Sequence, residues 1–289
     1  MPRSLVSALA LAALLAPAPA AALEKSDTLR REFAFAGSGA REVVIDNVFG
    51  SIQVRAGAAG RVTVEIRRRA EARRADDLEL AFTEVTLEAI EKPGRLELAQ
   101  DGPFRCEDGT WGRHRRGCDW DPDYELEWEW IVAVPADVDL DVSTVNGGAV
   151  DVDGVHGRVE AGNVNGGIRL AGLVGEVEAS TVNGPIRAEF ARAPASPASF
   201  ETVNGEIELA LPKGSGAELG FETMNGEIFT DFEVAAVPQR ATVKRDPRDD
   251  RGHSGNRYRI DRDAVVRIGS GGPRIDCQTL NGDIVVRER

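Results

Sequence analysis

Thr202-Val203-Asn204-Gly205-Glu206-Ile207 is the clearest of six copies of one motif that recurs along the chain. Three residues after the Asn of each Asn-Gly pair stands Ile in five copies, and Ala149 in the first copy. Successive Asn residues are 19, 18, 21, 21 and 56 residues apart. A period of about 20 residues is typical of solenoids and arrays, in which each unit buries its apolar face against its neighbours. The six Asn residues are Asn146, Asn165, Asn183, Asn204, Asn225 and Asn281.

The residues around each Asn alternate with a period of two. The positions six and four residues before the Asn, and the position three residues after it, are apolar in all six copies. The positions five and three residues before it are polar or small, and such alternation in register predicts stacked β-strands with one buried face. Gly157 and Gly175 fall midway between Asn-Gly pairs, which predicts two strands and two corners in each coil. We therefore predict an all-β fold, a single-chain β-solenoid or β-helix-like stack of about 20-residue coils, with one short N-terminal helix.

The Asn-Gly pair has two structural interpretations. Asn and Gly both tolerate positive φ, so the pair suits a tight corner between strands. In stacked coils the Asn amides can also bridge neighbouring turns and satisfy backbone groups of the corner. We therefore interpret the six Asn residues as structural turns. The same alignment places Cys277 in a core-facing column with Phe200 and Phe221, which predicts a buried and unpaired thiol.

The beginning of the sequence indicates export. Arg3 is followed by an apolar run and an Ala-rich stretch, which is the arrangement of a secretory signal peptide over residues 1–22. No later stretch is apolar enough to cross a membrane, so we expect a periplasmic or extracellular protein, including one at the cell surface. Residues 23–289 are predicted to form one domain, because the repeat columns extend back to Phe49, which stands where Asn is expected. Helix-favouring residues predict one short helix over residues 72–81.

Two segments interrupt the strand pattern. Residues 101–123 hold aromatic and basic side chains without periodicity, and residues 232–270 form an insertion within the last coils. Long loops in compact domains are often functional, so we predict a binding surface on the first segment. Cys106 and Cys118 predict a disulfide in an oxidising compartment; the alternative is a zinc site with His114, although the spacing matches no common structural site. The candidate binding residues are Trp111, Arg113, Arg115, Arg116 and Trp120.

Charge and motifs narrow the classes of function. The formal net charge of −13 argues against nucleic acid as a partner, because nucleic-acid-binding proteins carry basic patches. The chain lacks the motifs of serine hydrolases, phosphate-binding loops and zinc proteases. We therefore predict a protein that is not an enzyme and that needs no cofactor or metal. The alternative is a carbohydrate-binding or carbohydrate-processing protein that uses an outward acidic ladder of Asp141, Glu160 and Glu178, and these carboxylates are also the candidates for calcium.

The serial Thr-Val-Asn-Gly-x-Ile units, the N-terminal strands with a short helix, and a strand ending at Val134-Pro135 resemble the bacterial putative adhesin family, a domain of unknown function. The resemblance extends from about Glu42 to Arg287. It implies an exported, non-catalytic β-solenoid of the cell envelope that binds an envelope or surface partner, either protein or glycan. The loop with Cys106 and Cys118 departs from the family pattern.

Overall fold

The alternating segments of the sequence form β-strands in a computed structural model, which describes residues 22–35, 41–105, 120–236, 243–246, 257–260 and 263–289. The N-terminal elements are β1 (Leu23–Ala34), β2 (Glu42–Asp46), β3 (Gly50–Gly57), β4 (Arg61–Ala72), α1 (Ala75–Glu84), β5 (Thr86–Lys92), β6 (Arg95–Asp101) and β7 (Tyr124–Pro135). The repeat follows as β8 (Asp139–Asn146), β9 (Val150–Asp153), β10 (Val159–Asn165), β11 (Ile168–Leu173), β12 (Val177–Asn183), β13 (Ile186–Phe190), β14 (Ala198–Asn204), β15 (Ile207–Leu211), β16 (Ala217–Asn225) and β17 (Ile228–Thr230). The remaining strands are β18 (Val234–Ala236), β19 (Val243–Asp246), β20 (Arg257–Ile260), β21 (Asp263–Ile268), β22 (Arg274–Asn281) and β23 (Ile284–Glu288).

Two large sheets hold all of these strands, so the all-β part of the prediction is confirmed. Sheet A has twelve strands in the order β1-β4-β7-β3-β9-β11-β13-β15-β23-β17-β20-β19. Sheet B has eleven strands in the order β18-β21-β16-β22-β14-β12-β10-β8-β2-β6-β5. Neither sheet closes on itself within the described part of the chain, and the β-solenoid interpretation stays a prediction.

The repeat columns are the registers of the parallel pairs, with one exception: Val150, and not the predicted Ala149, pairs with Ile168, because the first copy has one additional residue after its Asn. Each copy supplies a strand to sheet B that ends at its Asn, and then a strand to sheet A. In sheet B, Ala161 pairs with Val142 on one side and with Ala179 on the other. Phe49 bridges Asn146 in parallel, which is where the column alignment places it.

The last copy of the motif departs from chain order. β22 pairs in parallel with β14 on one side and with β16 on the other. Likewise, β23 lies between β15 and β17. The chain therefore places β16 and β17 one position further along the stack, continues through β18 to β21, which pair antiparallel, and returns to fill the gap. The spatial order of the Asn residues is Asn146, Asn165, Asn183, Asn204, Asn281 and Asn225.

Helix α1 begins at Ala75, so the predicted start at residue 72 is wrong. The reason is that β4 continues to Ala72, which pairs with Tyr124 of β7 and is buried under the helix. Asp77 in the first turn binds the Arg74 guanidinium at 2.7 Å and also suits the positive end of the helix dipole. Pairing with β7 therefore outweighs the helix propensity of the preceding residues.

The core lies between the two sheets and is formed by the inward columns of the repeat. Trp128 and Trp130 of β7 are fully buried in it, as their alternation with Glu residues indicates. Cys277 is free and fully buried, as the column alignment predicts. It lies between Phe200 and Phe221, so a small side chain separates two large ones on neighbouring strands.

Candidate functional site

Most of the predicted binding loop lies outside the described residues. This applies to the proposed disulfide of Cys106 and Cys118, to the zinc alternative, and to the signal peptide as far as residue 21. These assignments stay predictions. The loop residues concerned are Trp111, Arg113, Arg115 and Arg116.

Trp120 is the candidate binding residue of this loop that the structure describes, and it is held on both sides. Its ring centroid lies 5.6 Å from that of Phe49 and 5.4 Å from that of Phe104. Its indole N–H donates to Glu84 Oε1 at 3.2 Å, and the Tyr124 hydroxyl donates to the same oxygen. Burial and this carboxylate raise the pKa of Tyr124 above its usual range, so the phenol stays a donor. Trp120 is therefore an anchor for the end of the loop.

The six Asn side chains form a continuous ladder along one corner of the stack. In each rung, one amide N–H donates to the Oδ1 of the Asn on the neighbouring strand, at 2.8–3.2 Å. Each interior Asn therefore uses one donor and one acceptor within the ladder and keeps the others for solvent. The result is an uncharged polar row that fixes the position of the corner.

The glycine after the Asn is needed for close approach in five of the six copies, and for positive φ only in the first. Gly147 has a φ of 89°, but the glycines of the other five copies do not adopt positive φ. A Cβ at Gly205 would overlap the carbonyl oxygen of Gly184 on the neighbouring coil, and the other four glycines are equally constrained. That carbonyl accepts a hydrogen bond from the buried Thr202 hydroxyl at 3.0 Å. Thr202 thus supplies a hydrogen-bond donor to the backbone carbonyl of the corner, and the missing side chain of Gly205 leaves space for that carbonyl.

Sequence reasoning missed one column, the residue immediately before each Asn. Alternation places it on the outer face, and yet it is apolar in all six copies. Val145 is only 7% exposed, but Val182, Val203, Leu280 and Met224 are 40%, 39%, 40% and 63% exposed. We call these last four side chains, on the consecutive strands β12, β14, β22 and β16, the apolar stripe. The conflict between apolar character and outward phase was the signal that could have found it.

An acidic row runs beside the apolar stripe on the same outer face. Glu201 and Glu222 stand two residues before Val203 and Met224, and Asp263 of β21 pairs with Glu222 across the sheet. We call these three carboxylates the acidic row. Among the described residues, no Lys or Arg side chain forms an ion pair with any of them. The stripe and the row line a shallow depression of about 490 Å³.

The outward ladder of Asp141, Glu160 and Glu178 lies on neighbouring strands in register. Burial, followed by the charges of Glu160 and Glu42, raises the pKa of Asp141 above the usual value of a carboxyl group. Glu160 is balanced by Arg158 at 3.3 Å. The ladder thus brings a carboxyl group of raised pKa beside one that is paired with a guanidinium, on an open face of the sheet.

The described residues hold no group of three or more His, Cys, Asp and Glu side chains arranged to bind a metal ion. Within the same ranges, the one helix is too short and too polar to cross a membrane.

Comparisons with known proteins show similarity only at the level of solved structures. No protein-family profile and no curated protein matches the chain. A putative cell adhesion protein from Clostridium sporogenes is 11% identical, with 92% of this chain and 100% of that chain covered and a TM-score of 0.41. A putative adhesin from Bacteroides fragilis is 9% identical, with coverage of 91% and 97% and a TM-score of 0.24. A putative lipid binding protein from Parabacteroides distasonis is 10% identical, with the same coverage and a TM-score of 0.30. Similarity at this level leaves membership of the adhesin family a prediction.

Proposed function

We propose that the protein is a non-catalytic, exported β-solenoid that serves as a binding scaffold in the bacterial cell envelope, in the manner of an adhesin. The observation that carries this proposal is the apolar stripe. Four apolar side chains stand 39–63% exposed on consecutive strands of one face. Parallel sheets are normally covered on both faces, and a contiguous exposed apolar patch marks an interaction surface.

The way the stripe is held supports the same proposal. Every residue of the stripe lies between a Thr that donates to the corner of the neighbouring coil and an Asn of the ladder. Both flanking rows fix the backbone, so the stripe is positioned before a partner arrives. A preorganised surface loses less conformational entropy on binding. The partner is an envelope or surface protein or glycan, and the net charge of −13 disfavours nucleic acid.

Binding to isolated bacterial envelopes tests the proposal. The variant Val203→Ser/Leu280→Ser removes apolar surface from the middle of the stripe, and we expect it to weaken binding at least tenfold. The matched control is Leu80→Ser/Ile90→Ser, which removes two other exposed apolar side chains, 47% and 38% exposed, far from the stripe. Equal binding by the two variants would contradict the role of the stripe.

The segment with Trp111, Arg113, Arg115 and Arg116 is proposed as a second contact surface. Its support is the sequence pattern together with Trp120, which anchors the segment to Phe49 and Glu84. Replacing residues 106–119 with a Gly-Ser linker keeps that anchor in place. If this replacement leaves envelope binding unchanged, the segment is not a contact surface.

A carbohydrate-processing enzyme is the second candidate function, and the pair of Asp141 and Glu160 favours it. Neighbouring strands lie about 4.8 Å apart, which is near the carboxyl separation of about 5–5.5 Å in retaining glycosidases. A raised pKa on Asp141 also suits a general acid. Turnover of a polysaccharide panel that is abolished in Asp141→Asn would establish this function and overturn the non-catalytic proposal.

A further inference from the structure

We propose that the partner of the apolar stripe is an amphipathic α-helix with a row of Lys or Arg side chains along one flank, lying across the strands. This inference rests on the proposed scaffold function and specifies the chemistry of its partner. Three features of the outer face support it: the fully paired backbone of its strands, the spacing of the stripe and the position of the acidic row.

The backbone of the stripe cannot recruit an extended peptide. β12, β14, β22 and β16 are interior strands, each paired with a neighbour on both sides. Addition of a strand needs free main-chain donors and acceptors at a sheet edge, which these strands lack. Recognition on this face therefore depends on side chains alone. A helix satisfies its own backbone and presents only side chains, so it suits such a surface.

The spacing of the stripe matches the turns of a helix. Neighbouring strands lie about 4.8 Å apart, so the four residues of the stripe span about 14 Å. A helix advances about 5.4 Å per turn, and three turns cover about 16 Å. Apolar residues at the first, fourth or fifth, eighth and twelfth positions therefore meet the four stripe residues with an accumulated mismatch of about 2 Å. A helix of about 12–14 residues fills the stripe.

The flanks of the stripe determine where the charges of the helix lie. On one side stand Glu201, Glu222 and Asp263, which form no ion pair with a described basic side chain. On the other side stands the Asn ladder, which is polar and uncharged. A basic row on one flank of the helix is therefore complementary, whereas an acidic row in the same place is repelled. The asymmetry also fixes one direction for the helix.

The test uses three labelled synthetic 14-residue peptides and fluorescence anisotropy at about 0.15 M salt. The first has Leu at helical spacing and Lys along one flank; the second has Glu in place of Lys; the third keeps the first composition but carries a central Pro, which breaks the helix. We expect the full-chain protein to bind the first peptide at least tenfold more tightly than the other two. Equal binding of the Pro-containing peptide would show that no helix is required and would overturn the inference.

Charge reversal separates specific binding from attraction to an acidic protein. The variant Glu201→Lys/Glu222→Lys is expected to bind the Lys peptide more weakly and the Glu peptide more tightly than the unchanged protein does. The matched control, Glu88→Lys/Glu91→Lys, changes the net charge equally on the exposed strand β5 and should leave both affinities nearly unchanged. If the control weakens binding as much as the stripe variant does, the interaction is non-specific and the inference fails.

The remaining outcomes distinguish this inference from the proposed function. Envelope binding that depends on Val203 and Leu280, without binding of the Lys peptide, would leave the scaffold function standing and overturn the helical partner. Sedimentation that shows a dimer dissociated by Val203→Ser/Leu280→Ser would assign the stripe to a second copy of the chain. Loss of stripe-dependent binding in every assay would overturn both proposals.

Discussion

The strands from β8 to β15 and the strands from β16 to β23 use the same motif but follow different rules of connection. In the first region each coil lies beside the coil that precedes it in the chain. In the second region β22 and β23 enter between two coils that are consecutive in sequence, the coil of β14 and β15 and the coil of β16 and β17. The comparison shows that the motif specifies which residues pair, whereas the order of the coils is decided by other features.

The largest effect is expected from removing the intercalated coil. A chain ending at Pro273 would leave β14, β15, β16 and β17 each with one unpaired edge and an uncovered core column. We expect it to lose cooperative unfolding at 25 °C, because the lost burial is comparable with the whole stability of a domain, about 5–15 kcal/mol. Circular dichroism measures the loss. A synthetic peptide of residues 274–289 should restore the transition, and a scrambled peptide should not.

Closure of β14 directly against β16 would give the opposite result. A truncated chain that unfolds cooperatively with nearly unchanged stability would mean that β14 can pair directly with β16, as neighbouring coils of the first region do.

Thiol labelling reports whether β22 leaves its place in the native protein. Burial, followed by the charge of Asp276, raises the pKa of Cys277 above its usual range, so the native thiol stays protonated and covered. In a Cys106→Ser/Cys118→Ser background at pH 8, we expect labelling at least about a thousand times slower than in urea. Val182→Cys in the same background should label quickly. Fast labelling of Cys277 would show that the intercalated coil opens readily.

The same pKa shift gives a direction for stability against pH. The unfolded thiol ionises at about pH 8.5, whereas the buried thiol ionises only at a higher pH. Stability from Cys277 is therefore fully present below that pH and declines as the pH rises above it.

Alanine at the corner glycines tests whether the two regions are packed equally closely. A Cβ at Gly184 would overlap the carbonyl of Gly166, and a Cβ at Gly282 would overlap that of Gly205. We expect each substitution to destabilise the protein by about 2–3 kcal/mol in urea unfolding. Gly162→Ala is the control, because its Cβ would meet only the Cβ of Ser143, at 3.6 Å. A cost at Gly184 alone would show that the second region is looser.

Removal of the corner hydroxyls should have a smaller effect of the same kind. Thr181 donates to Gly166 at 2.9 Å, and Thr279 donates to Gly205 at 3.1 Å. Thr→Val at either position leaves a carbonyl without this partner, and we expect a loss of about 1–2 kcal/mol. Thr86→Val on the exposed strand β5 serves as the control. Thermal unfolding of the three variants would contradict the ladder interpretation if all three lost the same amount.

The smallest effect is expected at Asp141, in the first region only. Its pKa is raised by burial and then by Glu160 and Glu42, so ionisation costs more in the folded state than in the unfolded state. The favourable contribution exists below the unfolded pKa of about 3.9 and is lost as the pH rises through the folded value. Asp141→Asn should therefore raise Tm by about 1–3 °C at pH 7 and leave it unchanged at pH 3. Glu178→Gln, at an exposed rung, should change Tm less at either pH.

The sequence was sufficient for the register of the repeat strands in sheet B, was one residue off at Ala149 in sheet A, and was insufficient for the order of the coils. The apolar columns predict that Phe200 and Cys277 occupy equivalent positions, and they do. Every copy has the same types of residue in its columns, so moving a coil by one position in the stack pairs the same residue types. The repeat pattern therefore does not distinguish one spatial order of the coils from another. The available signal was size: Cys277 between Phe200 and Phe221 alternates small and large side chains, which packs better than two neighbouring Phe rings.

The candidate site was missed for a related reason. The column of Val182 and Val203 is apolar although its phase is outward, and this conflict is visible in the sequence. The role of Gly205 could not be predicted, since close approach between coils depends on their stacking distance and not on local turn propensity.

The late entry of β22 has a consequence for synthesis. Protein chains leave the ribosome from the N-terminus, so β14 to β17 are synthesised before β22 and β23, which lie between them in the sheets. During that interval the gap presents four strand edges to proteases and to other chains. Once β22 and β23 are in place, all four strand edges are paired. A chain that ends before β22 therefore exposes strand edges that the complete chain pairs.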